Sequence, residues 1–500
     1  NAKFYADNVE RLKTTDEGIT VVGEVSATQD YPVVKPVLDF NFAAEKKLDP
    51  RFKFSRASMA TFIDKKGIVR YAPDNQPRFD HHPTSGVSLG LLLEREQTNY
   101  QEYSTLMSEA NGKTNITVTD NFAISPDGTQ NASKIVNSTS NNTGTTLSWT
   151  GSTVANNSYG IWSIWVKSEE TSCILQFFTN TYIGGAARIN IELADGTTGG
   201  DALSSAWRWN VEKYPNKWWR VSWGGNGANA AGAMLISVVD SKTAARGATC
   251  GSATSKTWFA WGVQEEISTE SRIATSYIPT NGYAAVRKGD RATMDGDDFD
   301  DFFDRFQGTI INEHSNALQS YGGGGSGWEF NNDQFQTNLV NQTGSGYAAS
   351  SYPGAFANIM GDRGSNGSGN GSGSDYMQAY GPNYAAGLNG PSNDGNGRYP
   401  SNNVADYTRY YKTWTDAMSY DVTPSENILR SATGGASSYV GGNTQSISLA
   451  NISKFEFGND AGDMGYSSFY GRIKRWVYYD KVLPLTQLET LTAQLPNSHL

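Results

Sequence analysis

The sequence is poor in the residues on which most enzyme and metal chemistry depends. Among 500 residues there are four histidines and two cysteines. Cys173 and Cys250 are too few for a disulfide framework; they read as two reduced core thiols, with a single bridge between them as the alternative. His81 and His82 are neighbours in a turn and read as solvated, His314 stands alone, and His499 is next to the last residue. No nucleophile elbow, P-loop or metalloprotease helix appears. Forty Lys and Arg face 50 Asp and Glu, for a net charge of −10, and no basic stripe marks a nucleic-acid partner. No apolar run reaches the roughly 18 residues needed to span a bilayer as a helix. The chain opens at Asn1 without a signal-peptide pattern, and reads as a processed protein or as the ordered part of a longer one.

What the sequence has in quantity is glycine (53 residues) and aromatic residues (12%, with 13 Trp and 26 Tyr). Short β-prone runs alternate with turns rich in Gly, Asn, Ser and Thr, which argues for an all-β protein built of sandwiches. Residues 1–37 form a strand–turn–strand unit around Asp16-Glu17-Gly18, too small to bury a core alone, and Pro32 and Pro36 mark a linker. Residues 38–100 are a strand-rich connector whose first strands complete a neighbouring sandwich. Within it, runs at 61–63 and 68–71 flank Asp64-Lys65-Lys66-Gly67, a hairpin in which Gly67 takes positive φ. Residues 101–285 hold nine strand candidates with the spacing of a jelly roll, with 160–166 as a buried central strand. Trp162, Trp165, Trp219, Trp223, Trp261 and Trp476 are assigned to cores. Residues 286–307 are an acidic junction in which Phe299, Phe302, Phe303 and Phe306 have helical spacing. Residues 308–500 are a second sandwich ending in a helix at 485–493. Inside it, residues 361–403 form a low-complexity loop.

Several motifs are more specific. Ser55-Arg56-Ala57-Ser58, Pro77-Arg78-Phe79-Asp80 and Gly90-Leu91-Leu92-Leu93-Glu94-Arg95-Glu96-Gln97-Thr98-Asn99 occur in that order. They are followed by Ser125-Pro126-Asp127-Gly128-Thr129, Trp218-Trp219-Arg220-Val221, Trp261-Gly262-Val263-Gln264-Glu265-Glu266 and Thr275-Ser276-Tyr277-Ile278-Pro279-Thr280. This series resembles a family of bacteriophage structural proteins, mostly tail-fibre and other virion-fibre subunits. The resemblance implies a short trimeric β-shaft at 1–37, a carbohydrate-binding jelly roll at 101–285 and a laminin-G-like (concanavalin A-like) sandwich at 308–500. It implies a homotrimer on the virion, joined to other virion proteins through its N-terminus and binding host-surface polysaccharide, with no catalysis. A tail fibre is favoured over a head fibre because such modules are commonest there. An ordinary docked hairpin is the alternative at 1–37. A decoration or connector protein, a glycan-degrading tailspike and a bacterial cell adhesin are the alternatives for the whole chain.

Candidate binding residues follow from how sugars are held, by aromatic faces with polar groups beside them. Trp207 and Trp209 lie two apart after a Gly/Ser-rich loop and share a face if that segment is extended; the alternative for both is packing. Tyr376, Tyr380, Tyr384 and Tyr399 are scattered through the low-complexity segment, a mixture of anchors and adaptable residues; the alternatives there are folding of the loop and contact with a sister subunit. No cofactor is expected. Asp295, Asp297 and Asp298 open an acidic run that offers oxygen ligands to a structural calcium; the alternative there is a solvated helix start.

Overall fold

The computed structural model describes residues 3–6, 9–15, 18–21, 35–137, 144–156, 158–179, 188–199, 207–248, 255–268, 274–316, 335–340, 357–361, 376–380, 414–421, 428–433, 436–442, 454–458 and 471–493. Two units are distinct, residues 1–35 and 36–500. The first is an antiparallel meander of Lys3–Ala6, Val9–Thr15 and Gly18–Val21. Lys3–Ala6 adds a strand to the expected pair, and Pro32 lies outside the described residues.

In the second unit, period-2 apolar patterning produces strands almost throughout. The first sandwich has two six-stranded sheets. One runs Gly112–Thr114, Thr146–Val154, Ala230–Val239, Ile174–Thr179, Arg188–Glu192, Thr198–Gly199. The other runs Ile116–Ala123, Ala132–Asn137, Thr257–Ser268, Tyr159–Lys167, Trp219–Asn226, Trp207–Lys213. Both contribute to one apolar core that includes Trp149, Trp162, Phe177, Trp223 and Trp258. The six tryptophans assigned to cores from the sequence are all buried.

The second sandwich draws strands from both ends of the unit. Gly471–Tyr479 lies between Gln307–Asn316 on one side and Leu38–Phe40 and Ser88–Leu93 on the other. Arg78–His81 extends this sheet beyond Ser88–Leu93. In the facing sheet, Arg291–Asp295 pairs with Lys454–Gly458 and with Lys53–Ser55. The shared core is strongly aromatic: the ring centroids of Phe455 and Trp476 are 4.4 Å apart, and Phe40, Phe52, Phe457 and Tyr478 belong to the same cluster.

The junction is part of this core. Asp297–Asp300 is a single helical turn, and Phe299, Phe302 and Phe303 are buried beside Tyr478 and Tyr420. Phe306 departs from the expected stripe: the turn is too short to carry it round, and it is 62% exposed. The terminal helix, Leu485–Ala493, forms where the sequence placed it and buries Leu488. In the low-complexity segment, Tyr376–Tyr380 is a strand at the edge of a sheet, paired with Ala357–Gly361, where a loop was expected. Cys173 is a buried thiol whose pKa burial pushes up to about 12; Cys250 lies outside the described residues. Among the described residues no helix is long and apolar enough to cross a membrane.

Candidate functional site

The three leading motifs meet at one place. Arg56 follows the strand Lys53–Ser55, Arg78 opens Arg78–His81, and Glu94 follows Ser88–Leu93. Arg287 closes the short strand Ala285–Arg287, and Asp290 lies just after it. All five side chains are within 5% of full burial. Arg56 Nη1 donates to Asp290 Oδ1 at 2.9 Å, and Arg78 Nη1 to Glu94 Oε2 at 2.7 Å. Arg78 also pairs with the second Asp290 oxygen, and Arg287 with Glu94. Most of the remaining polar capacity is met by the backbone and by Ser276, while Arg78 Nε and Arg287 Nε are buried without a hydrogen bond among the described residues. The Glu94 amide donates to Asp290 at 2.8 Å, and the Ser276 amide to Glu94 Oε1 at 2.7 Å. Arg56 donates further to the carbonyls of Ser58, Ala72, Pro73 and Gln76.

Buried charges persist only when paired and hydrogen-bonded, because desolvation otherwise exceeds their attraction. Glu94 shows the balance. Burial alone raises a carboxyl, but the Arg287 and Arg78 guanidiniums and the Ser276 bonds hold this one well below the usual range. A second pair lies on the same sheet: Arg472 Nε donates to Asp80 Oδ2 at 2.7 Å, and Asp80 Oδ1 accepts from the Ile63 amide at 2.7 Å. From the first sandwich, Arg220 donates to the Thr275 carbonyl at 2.7 Å with its guanidinium 4.5 Å over Trp165. The node thus joins strands of the second sandwich to segment 274–290, which leaves the first.

Beside it lies a cavity of about 30 Å³ lined by Asp80, Glu94, Arg220, Arg472, Trp165 and Tyr277, among others. That is space for water, and too little for a sugar ring. The acids of the node are committed to arginines and amides, so the arrangement can hold the sandwiches together but offers no general acid or base.

The other motifs are structural in the same way. Gly90 has φ +87° and sits so close to the next strand that a Cβ would lie 2.0 Å from the Ile473 carbonyl oxygen. Gly67 closes the expected hairpin at φ +75°, its amide donating to the Asp64 carbonyl at 2.8 Å. Asp127 Oδ1 accepts from the Ser125 hydroxyl at 2.6 Å and the Thr129 amide at 2.8 Å, while Tyr71 donates to its other oxygen at 3.0 Å. Trp165, Trp261 and Tyr277 belong to a smaller core of their own. Glu265 is held by neutral donors: Gln101 Nε2 donates at 2.9 Å and the Ser152 amide at 2.7 Å. Burial pushes this carboxyl up to about 7.

Four of the expected site residues have described side chains: Trp209, Asp295, Asp297 and Asp298. Trp209 pairs in register with Trp223 and packs, partly buried, on the first sandwich's core. The strand's inward face carries it, as in the packing alternative. Trp207 begins the same edge strand, opposite Gly225, and its side chain lies outside the described residues. Tyr376 and Tyr380 bound the edge strand noted above, again without described side chains, and Tyr384 and Tyr399 lie outside the described residues. Asp295 turns to an ion pair with Lys53, and Asp297 and Asp298 occupy the first turn of a four-residue helix. Among the described residues no three His, Cys, Asp or Glu gather as a metal site. His81, read as solvated, is 6% exposed, its Nδ1 3.1 Å from the Ile63 carbonyl oxygen. Its strand, Arg78–His81, carries it into the sheet.

Arg56, Arg78 and Glu94 stand in the leading motifs, and Arg287 and Asp290 in the junction, yet nothing in the sequence joins them. The signal available was arginine and glutamate set against apolar strand residues, where a solvated charge has no place.

No family model and no curated protein matches the chain. Among solved structures it is similar to the CBM40 of the Ruminococcus gnavus IT-sialidase bound to α2,3-sialyllactose. That likeness has 14% identity and a TM-score of 0.22, over 38% of this chain and 83% of that one. It is similar also to domain 4 of AbnA, a GH43 extracellular arabinanase from Geobacillus stearothermophilus, in complex with arabinotriose. Here identity is 12% and the TM-score 0.23, over 44% of this chain and 82% of that one. Likenesses at this level carry no argument, and the all-β architecture rests on the sheets themselves.

Proposed function

We propose that this protein is a non-catalytic bacteriophage fibre subunit, of the tail rather than the head, that projects two β-sandwiches for attachment to host-surface glycan. The observation that carries the reading is the node of Arg56, Arg78, Glu94, Arg287 and Asp290. The motifs that resemble fibre proteins are spent on joining one sandwich to the other, which suits a stiff display body and leaves outward surfaces free to bind. The N-terminal meander, too small for a core of its own, supports assembly as a homotrimer and connection to other virion proteins. Three copies would convert weak sites into firm attachment through avidity. The protein would then act at the host cell surface as part of the virion.

The test is binding of the fluorescently labelled full chain to bacterial host cells, before and after periodate oxidation of surface sugars. Binding that is lost on oxidation supports the reading. Absence of binding to every cell type the virus infects overturns it in favour of a virion-internal connector, and release of reducing sugars from host polysaccharide overturns it in favour of a tailspike enzyme.

A further inference from the structure

Phe122 keeps 49% of its surface in solvent. It sits at an irregularity of the edge strand Ile116–Ala123, where pairing with Ala132–Asn137 slips between Thr119 and Ala123 and Asn121 takes a left-handed φ of 54°. Bulges of this kind re-aim a side chain. The Phe122 ring lies 6.2 Å from that of Phe259, and the Lys134 ammonium stands 4.7 Å from the Phe122 centroid. Lys134 is opposite Phe259 in the sheet, and Phe259 is opposite Lys167. The Lys167 ammonium is in turn 5.2 Å from the Phe259 ring and 5.3 Å from that of Trp218. Ring and cation therefore alternate along one row, on the face of this sheet turned away from the sandwich core.

The two lysines differ. Lys167 is mostly buried and pairs with Glu169 at 3.3 Å. Lys134 has no carboxylate partner among the described residues. On the neighbouring strand, Asp120 is occupied by the Ser108 amide at 3.2 Å and the Ser133 hydroxyl at 2.6 Å. On a chain of net charge −10, an ammonium without a counter-charge beside a half-exposed ring is a local exception. An aromatic face takes the apolar face of a pyranose, and an unpaired ammonium takes an anion.

We propose that Phe122 and Lys134 form a subsite for an acidic saccharide, a uronate or other carboxylate-bearing sugar, with its ring on Phe122 and its carboxylate on Lys134 Nζ. The proposal rests on the glycan-attachment reading and narrows it to anionic glycans. Lys167, between Phe259 and Trp218, holds the row in place.

The experiment measures retention of the full chain on immobilised polygalacturonate and on neutral dextran, at low and raised salt. Polygalacturonate is expected to retain the protein more strongly than dextran, less so at raised salt because the contact is exposed. Phe122→Ala and Lys134→Met should each weaken retention roughly tenfold, and Lys134→Arg should restore it. Tryptophan-fluorescence melting verifies that each variant is folded. Equal retention on dextran, or folded variants that bind as well as the parent, would overturn the subsite. Cells bound in a periodate-sensitive way by a protein that ignores polygalacturonate would overturn the acidic subsite alone. Failure to bind any host cell would remove the attachment reading beneath it.

Discussion

Arg56 and Asp290 are 234 positions apart in sequence and meet at 2.9 Å with both side chains fully buried. Asp290 is shared, since its other oxygen pairs with Arg78. Replacing it by alanine leaves two buried guanidiniums without their shared counter-charge. We expect Asp290→Ala to cost about 3–5 kcal/mol, read as a lower urea midpoint. A loss below about 1 kcal/mol, the size of a surface ion pair, would show that water reaches the node.

Glu265 gives a prediction for neutral and alkaline pH. Its folded-state pKa is raised by burial from 4.5 to about 7. The stability linked to its proton is therefore full below pH 4.5 and lost as pH rises through about 7. Glu265→Gln keeps the group neutral at every pH. The variant should match the parent near the unfolded pKa and exceed it by up to roughly 3 kcal/mol well above the folded one. Parallel stability curves for the two proteins would show that Glu265 is not held in its protonated form.

Glu94 acts in the opposite sense. Its folded-state pKa lies well below 4.5, so its contribution is present above that value and is lost as pH falls toward the folded pKa. The two carboxyls together predict a stability maximum near pH 4.5, with a decline on the acid side from Glu94 and a decline through about pH 7 from Glu265. Thermal melts from acid to alkaline pH test this, and stability that climbs steadily through neutrality into the alkaline range would contradict it.

Trp209 separates packing from binding. Its ring covers the edge of the first sandwich's core, so Trp209→Ala should destabilise by about 1–3 kcal/mol, less than a fully buried tryptophan. Folded variant protein should attach to host cells as the parent does. Lost attachment with an unchanged melting temperature would return Trp209 to a sugar-facing role.

Local features were legible in the sequence. The Gly67 hairpin, the strand through Trp162 and Trp165, the buried tryptophans and the helix Leu485–Ala493 all follow from period, turn residues and apolar content. Long-range pairing was not. Nothing near Leu38 says that it will pair with Tyr478, or near Leu91 with Ile473, because a strand's own pattern fixes its buried face and not its neighbour. The node was hidden for a related reason. Arg78 and Glu94 look like ordinary surface charges until the chain brings Arg287 and Asp290 against them. The exposure of Phe122 depends on the irregularity at Asn121, which a period-2 pattern does not contain.

The central claim is that the motif charges lock the two sandwiches into one body. Scanning calorimetry of the full chain and of Asp290→Ala tests it most directly. The account predicts one cooperative transition for the two sandwiches in the parent, and in the variant either a lower single transition or its separation into two. Two independent transitions in the parent, unmoved by the substitution, would contradict it.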